Sequence, residues 1–184
     1  MKLVVAVTGA SGIIYAKHFM QALKDQEIET HLVITSSAKS VAAYEMGDIA
    51  QITSLATHVY DPDEMSAGIA SGSYPVDGMV IIPASMKTIA ALANGFADNL
   101  VTRAADVQLK ERRTLIVVPR ETPLHAVHLE NMAKLSRLGA VILPAMPGFY
   151  HKPETVDDLV DFIVGKILDQ LGIENRLFTR WGSA

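Results

Sequence analysis

Short runs rich in β-branched residues, alternating with segments of helical period, predict an α/β fold with one parallel sheet covered by helices on both faces. The first observation is the run from Leu3 to Val7, apolar without alternation and broken by a glycine turn, as a strand buried on both faces is. The second is its recurrence at 30–34, 78–83, 115–118 and 140–143, with segments between long enough for crossovers, which parallel strands require. The third is composition. A chain of 184 residues, 49% hydrophobic and 20% charged, is expected to form one domain, 1–184, around a full core.

Each element has its own local reason. Thr8 to Gly12 reads as a tight turn, and Ile13, Ala16, Phe19, Met20 and Leu23 then recur at helical spacing over 13–23. Thr30 to Ile34 predicts a second strand, closed by the hydroxyl cluster Thr35-Ser36-Ser37. The segment 38–46 predicts a helix carrying Glu45, with 48–56 continuing helically and 58–60 a short strand. A proline-containing acidic loop passes into a small-residue helix at 65–70, and the strand 78–83 follows. Helices are expected at 88–94 and 98–110, joined by a bend at Gly95, before the strand 115–118. The segment 125–138 is amphipathic, with Val127, Leu129, Met132, Leu135 and Leu138 on its apolar side and Gly139 as a C-terminal stop. After the strand 140–143, prolines stiffen the loop 144–150. The last helix spans 155–171, with Thr155 as N-cap and Asp157 and Asp158 suiting the helix dipole. A tail, 172–184, carries Arg180-Trp181-Gly182. Together these elements predict a Rossmann-like domain.

Composition narrows the function. A mean hydropathy of +0.25 with only 6% aromatics is high for a monomer and points to burial between subunits. The net charge of −4 argues against general nucleic-acid binding. There are no cysteines, which excludes disulfides, zinc–thiolate sites and cysteine nucleophiles. The N-terminal apolar run breaks at Gly9 and is expected to be a strand, not a signal segment. No apolar stretch is long enough to span a bilayer, and a cytoplasmic location is expected.

Positive charge gathers in one stretch. Arg103, Lys110, Arg112, Arg113 and Arg120 are five of the sixteen Lys and Arg residues. Arg103 and Lys110 are about two helical turns apart and share a helix face. Arg120 and Glu121 follow a strand, where open α/β sheets place ligands. Helix face and strand tip are expected to converge on an anion. The turn at Gly9 and Gly12 offers backbone N–H groups to a phosphate, with Ser11 adding a hydroxyl. It reads GxxG, however, and helix packing alone explains such glycines as well. The second strand ends in Thr35 without the acid that NAD enzymes place there. Ser85-Met86-Lys87-Thr88 repeats the strand-to-helix geometry. Glu45 and Glu121 are candidate proton carriers. Tyr150 sits with Phe149 in the stiff loop, either as one of a packed aromatic pair or placed to present a hydroxyl. His125 and His128 lack a third ligand, so no metal site is read from them.

Further motifs complete a pattern. TGASG at 8–12, SMKT at 85–88, ADNLVTRAADVQLKERR at 97–113, PRETPL at 119–124, HLENM at 128–132, GAVILPAMPGFYHKP at 139–153 and RW at 180–181 resemble the UbiX-type flavin prenyltransferases. The likeness runs from Leu3 to Trp181, and the basic run followed by RETPL is its most specific part. The resemblance implies a metal-free reaction between reduced FMN and dimethylallyl monophosphate. The prenyl group joins flavin N5 and C6, and phosphate is released. It also implies homododecamers with flavin sites at subunit contacts, and a product used by a UbiD-type decarboxylase. Carried over by motif, Gly9, Ala10, Ser11, Thr35, Ser85, Met86, Lys87, Thr88 and Arg120 would hold FMN. Arg103, Lys110, Arg120, Tyr150, Lys166 and Trp181 would surround the dimethylallyl phosphate, the tail completing the site. Ser11, Glu45 and Glu121 would handle protons. Thr35 stands where serine is common, Lys166 where arginine or lysine occurs, and Ala84 where cysteine is frequent. Two other readings are a flavin-dependent decarboxylase of cysteine-derived substrates and a non-catalytic FMN-carrying accessory subunit.

Overall fold

The strand Lys2–Val7 (β1) sends Leu3, Val5 and Val7 to one face and Val4 and Ala6 to the other, all fully buried. A strand with both faces dry lies at a sheet's centre. The computed structural model, which describes residues 1–182, confirms this with a six-stranded, wholly parallel sheet. Its strands are β1, β2 (Glu29–Ile34), β3 (His58–Tyr60), β4 (Gly78–Ala84), β5 (Thr114–Pro119) and β6 (Val141–Ile142). The spatial order is β3-β2-β1-β4-β5-β6. The chain reverses direction across the sheet between β1 and β4, the switch point where such sheets open a crevice at the strands' C-terminal ends.

One core cluster packs α1 (Ile13–Asp25) and α7 (Val156–Gln170) on the Leu3 face, joined by Ala38 and Ala42 of α2 (Ser36–Glu45) and Ile52 of α3 (Ala50–Thr53). The other packs α4 (Met86–Ala93), α5 (Leu100–Lys110) and α6 (Ala126–Arg137) on the Val4 face. The helices begin where capping chemistry permits. Thr155 accepts from the Asp158 amide at 3.1 Å while Asp158 accepts from the Thr155 amide, a reciprocal cap. Asn99 and Thr102 form the same box at α5.

Two expectations of helix shrink. The segment 65–70 is turn with a single 3-10 turn at Gly68–Ala70, and 48–56 forms only α3. Both are short for propagating a helix against its nucleation cost. On α6 only Met132 and Leu135 are buried, while Val127, Leu129 and Leu138 are each more than half exposed. The apolar stripe is wider than the groove beneath it. Tyr44, Phe96, Met146, Phe149 and Trp181 are also bare, as the hydropathy anticipated for a chain with subunit contacts. Among the described residues, no helix is long and apolar enough to cross a membrane.

Candidate functional site

The C-terminal ends of β1, β2, β4 and β5 meet in one crevice. Thr8, buried after β1, donates through Oγ1 to the Pro83 carbonyl at 2.8 Å and accepts from the Ser85 amide at 2.8 Å. One side chain thereby locks the first turn to the fourth strand's turn. Gly9 lies against Ser37: a Cβ there would sit 2.5 Å from Ser37 Oγ and 2.6 Å from its Cβ. The glycine is required by space. Thr35 caps α2 by accepting from the Ala38 amide at 3.2 Å, and Ser85 caps α4 by accepting from the Thr88 amide at 3.3 Å. Both helices begin at a cavity of about 350 Å³ lined by Thr35, Ser37, Lys39, Ser85, Lys87 and Thr102, among others. First-turn N–H groups have no intrahelical partner, so each helix start offers donors for an anion.

The start of α1 differs. Gly12, at φ 102°, is the N-cap and brings no capping side chain. Glu45 reaches over instead, accepting from the Gly12 amide at 3.0 Å and the Ile13 amide at 2.8 Å. The phosphate expected at this turn therefore has its place taken by a carboxylate, an anion serving the same dipole. Partial burial alone would raise the Glu45 pKa. Hydrogen bonds from the Ser11 hydroxyl and the Ile13 and Gly12 amides, with Arg120 nearby, outweigh it and hold the group below its ordinary range. Arg120 donates from Nε to the Ser11 carbonyl at 3.0 Å. Ser11, Glu45 and Arg120 thus form one charged group around the α1 start. Glu121 is exposed and accepts from the Thr122 amide at 3.0 Å.

Other expected site residues fall elsewhere. Met86 turns its side chain into the core, so only its backbone can face a ligand. The expected convergence of Arg103 and Lys110 on Arg120 does not occur within the subunit. Arg103 donates from Nε to the Ala70 carbonyl at 2.9 Å and from Nη1 to Asp106 at 3.2 Å. Lys110 pairs with Glu111 beside Gly72. Both lie on the α5 face turned to 70–72, whereas Val101 and Thr102 line the crevice. Lys110 precedes β5 and Arg120 follows it, and six strand residues span about 20 Å. Arg113 donates to the Tyr74 and Gly72 carbonyls at 2.9 and 2.7 Å, a structural role.

A third group gathers on α7 and the tail. Tyr150 meets Trp181 edge-on at 5.4 Å and Phe162 at 5.8 Å between ring centroids. Lys166 stands about one turn beyond Phe162 on the same helix face. The tail reaches Tyr150 because Phe178 packs where Gly165 has no side chain, a Cβ there meeting it at 2.6 Å. Arg180 adds two hydrogen bonds to Asp169, at 2.9 and 2.7 Å. Ser183 and Ala184 of the tail lie outside the described residues. The reading from sequence missed Thr8 and Ser37. The hydroxyl after β1 was a visible signal for Thr8, but Ser37 became legible only through its contact with Gly9.

Fold and crevice together define an α/β protein of the nucleotide-binding type: a switch-point cleft, helix starts for phosphate and a glycine wall. The sequence pattern of the Flavoprotein family matches residues 1–168. The flavin prenyltransferase UbiX of Methanocaldococcus jannaschii is 50% identical over the whole of both chains. Among solved structures, a dodecameric FMN-dependent UbiX-like decarboxylase from Escherichia coli O157:H7 superposes with a TM-score of 0.97 at 47% identity, covering all of both chains. A UbiX structure in complex with FMN and dimethylallyl pyrophosphate superposes with a TM-score of 0.97 at 43% identity, covering 100% of this chain and 98% of the other. The chain belongs to the flavoprotein family and, within it, to the UbiX-type flavin prenyltransferases.

Proposed function

We propose that this protein is a flavin prenyltransferase, transferring the dimethylallyl group of dimethylallyl monophosphate to N5 and C6 of reduced FMN with release of phosphate. The observation that carries the reading is the crevice, where two helix starts are joined by a charged group, Ser11, Glu45 and Arg120, that flavin binding alone does not need. The residues fit FMN. Gly9 lets Ser37 pack into the crevice wall, the starts of α2 and α4 offer N–H donors with Thr35, Ser85, Lys87 and Thr88 around them, and Arg120 offers a cation. Ala10 and the Met86 backbone complete that wall.

When bound, reduced FMN supplies the nucleophilic atoms and an aromatic face. The chain supplies the rest. Cleaving an allylic C–O bond places negative charge on the leaving phosphate, which fixed cations stabilise in a site shielded from water. Arg120 provides one such cation. Arg103 and Lys110, engaged with Ala70 and Glu111, form a second group, and Tyr150, Lys166 and Trp181 form a third. Assembly into a homo-oligomer, a dodecamer as in the Escherichia coli relative, brings them to a neighbour's crevice. The tail 172–184 serves the site through Trp181. Glu45, anionic above the acid range, and Glu121 exchange protons with phosphate and with C6 of the ring, Ser11 relaying. No metal is required. The protein acts in the cytoplasm and hands its product to a UbiD-type decarboxylase.

The test is anaerobic incubation with reduced FMN and dimethylallyl monophosphate, followed by the mass of the released flavin. A gain of the prenyl mass supports the reading. Unmodified flavin from folded, FMN-bound protein overturns it, and decarboxylation of a cysteine-derived peptide under the same conditions would put the chain in a different reaction class.

A further inference from the structure

We propose that Glu29, His31 and His58 form a binding site for a divalent transition-metal ion, Zn²⁺ in the first instance, at the β2–β3 edge of the sheet. Glu29 and His31 are two residues apart on β2, so their side chains leave the same face. His58 is the register partner of His31 on β3. The three ligand atoms all lie within 4.8 Å of one another. Glu29 Oε1 is 3.0 Å from His31 Nε2 and 3.7 Å from His58 Nε2. Ligands of a tetrahedral ion with bonds of about 2.0–2.1 Å stand ~3.3 Å apart, so these atoms close on such an ion with small side-chain shifts. The two imidazoles stack at 4.8 Å and 27°, which aims both Nε2 atoms at the same carboxylate.

Two imidazoles and a carboxylate with a fourth position open to water are a zinc donor set. Imidazole ligands select Zn²⁺ over Mg²⁺ or Ca²⁺, which prefer all-oxygen shells. An outer partner is already in place: the Tyr60 hydroxyl lies 2.8 Å from His31 Nδ1. On binding, His31 takes the tautomer that is bare at Nε2 and protonated at Nδ1, the proton passing from one nitrogen to the other through solvent, and Nδ1–H donates to the Tyr60 oxygen, orienting the ring. His31 is wholly buried, while the His58 side chain is 49% exposed, so the ion enters past His58. Lys2 is a competing cation, its Nζ 3.1 Å from the same Glu29 oxygen. Its long stem lets the ammonium swing into solvent.

The site is separate from the flavin crevice, since Thr35 follows the crevice end of β2 and Glu29 begins the opposite end. Its role is structural. β3 is a three-residue edge strand, and an ion shared with β2 ties it to the sheet.

The experiment uses tag-free, chelator-stripped protein titrated with Zn²⁺ by calorimetry, with Co²⁺ visible absorption as a second readout. One saturable equivalent per chain is expected, with intense tetrahedral Co²⁺ bands. His58→Ala, at a half-exposed position, and Glu29→Gln should each weaken binding by ~10-fold or more, at least the loss that removing an outer partner causes. His125→Ala should change nothing, although His125 and His128 stand 3.5 Å apart between ring centroids. Retained FMN binding confirms that each variant is folded. Absence of a saturable equivalent, binding that survives both His58→Ala and Glu29→Gln, or binding lost in His125→Ala overturns the proposal.

Discussion

Glu45 shows how one residue serves folding and chemistry together. It stands in for the missing cap of α1, and the hydrogen bonds that hold it there keep it anionic. Its folded-state pKa lies below the ordinary value of 4.5. The linked stability is therefore fully present above that value and is lost as pH falls through the depressed pKa. Wild type should exceed Glu45→Gln in urea stability at neutral pH, and the gap should narrow in acid. A gap that stays constant with pH would mean that charge at this position is not what stabilises α1. Gly9 makes the opposite point, a residue needed for what it lacks. Gly9→Ala forces its Cβ onto Ser37 and should weaken FMN binding by roughly tenfold, about 1.4 kcal/mol, in a fluorescence-quenching titration. Unchanged affinity would remove Gly9 from the flavin wall. The glycine turn was legible from sequence. That Glu45, and not a ligand phosphate, takes the α1 start was not, because the two positions are far apart in the chain.

At the scale of elements, α5 and the tail divide the labour. The Arg103 side chain braces the turn at Ala70, so Arg103→Ala should cost about 1 kcal/mol of stability. Prenylation should collapse with FMN affinity retained; an equal fall in FMN affinity would place Arg103 on the flavin instead. The tail depends on Gly165, whose missing side chain is replaced by Phe178. Gly165→Ala should lift the tail and speed tryptic cleavage at Arg176, with prenylation reduced and the sheet's thermal unfolding little changed. Equal cleavage rates would show that the tail docks by the Arg180–Asp169 pair alone. Helix starts at Thr155 and Ser85 were readable as a local capping pattern and a strand-to-helix turn, whereas the Asn99 cap of α5 emerged only from the structure. The shortness of the segments 65–70 and 48–56 was not readable either, since helical propensity is only a weak prior.

For the whole molecule, the separation of Lys110 from Arg120 by the length of β5 makes shared sites testable. Arg103→Ala and Arg120→Ala chains, each inactive alone, should regain activity when dissociated and reassembled together. Random mixing at equal ratio leaves about a quarter of shared sites with both arginines intact. No recovery in correctly assembled mixtures would place both residues in one subunit's site. The bare apolar side chains on α6 and the 144–150 loop are the surfaces such an assembly would cover.

By itself, the sequence determined the parallel sheet, the order of its strands along the chain, the glycine turn and the charged residues. These depend on local period, turn chemistry and composition, which neighbouring residues carry. Tertiary structure alone decided which of those residues meet. The antiparallel run of α5 against β5 carries Lys110 to the far end from Arg120, and the rotation of α5 turns Arg103 to Ala70. The register of β2 with β3 sets His31 beside His58. Direction, rotation and register arise from packing between distant segments, and no single stretch of the chain encodes them.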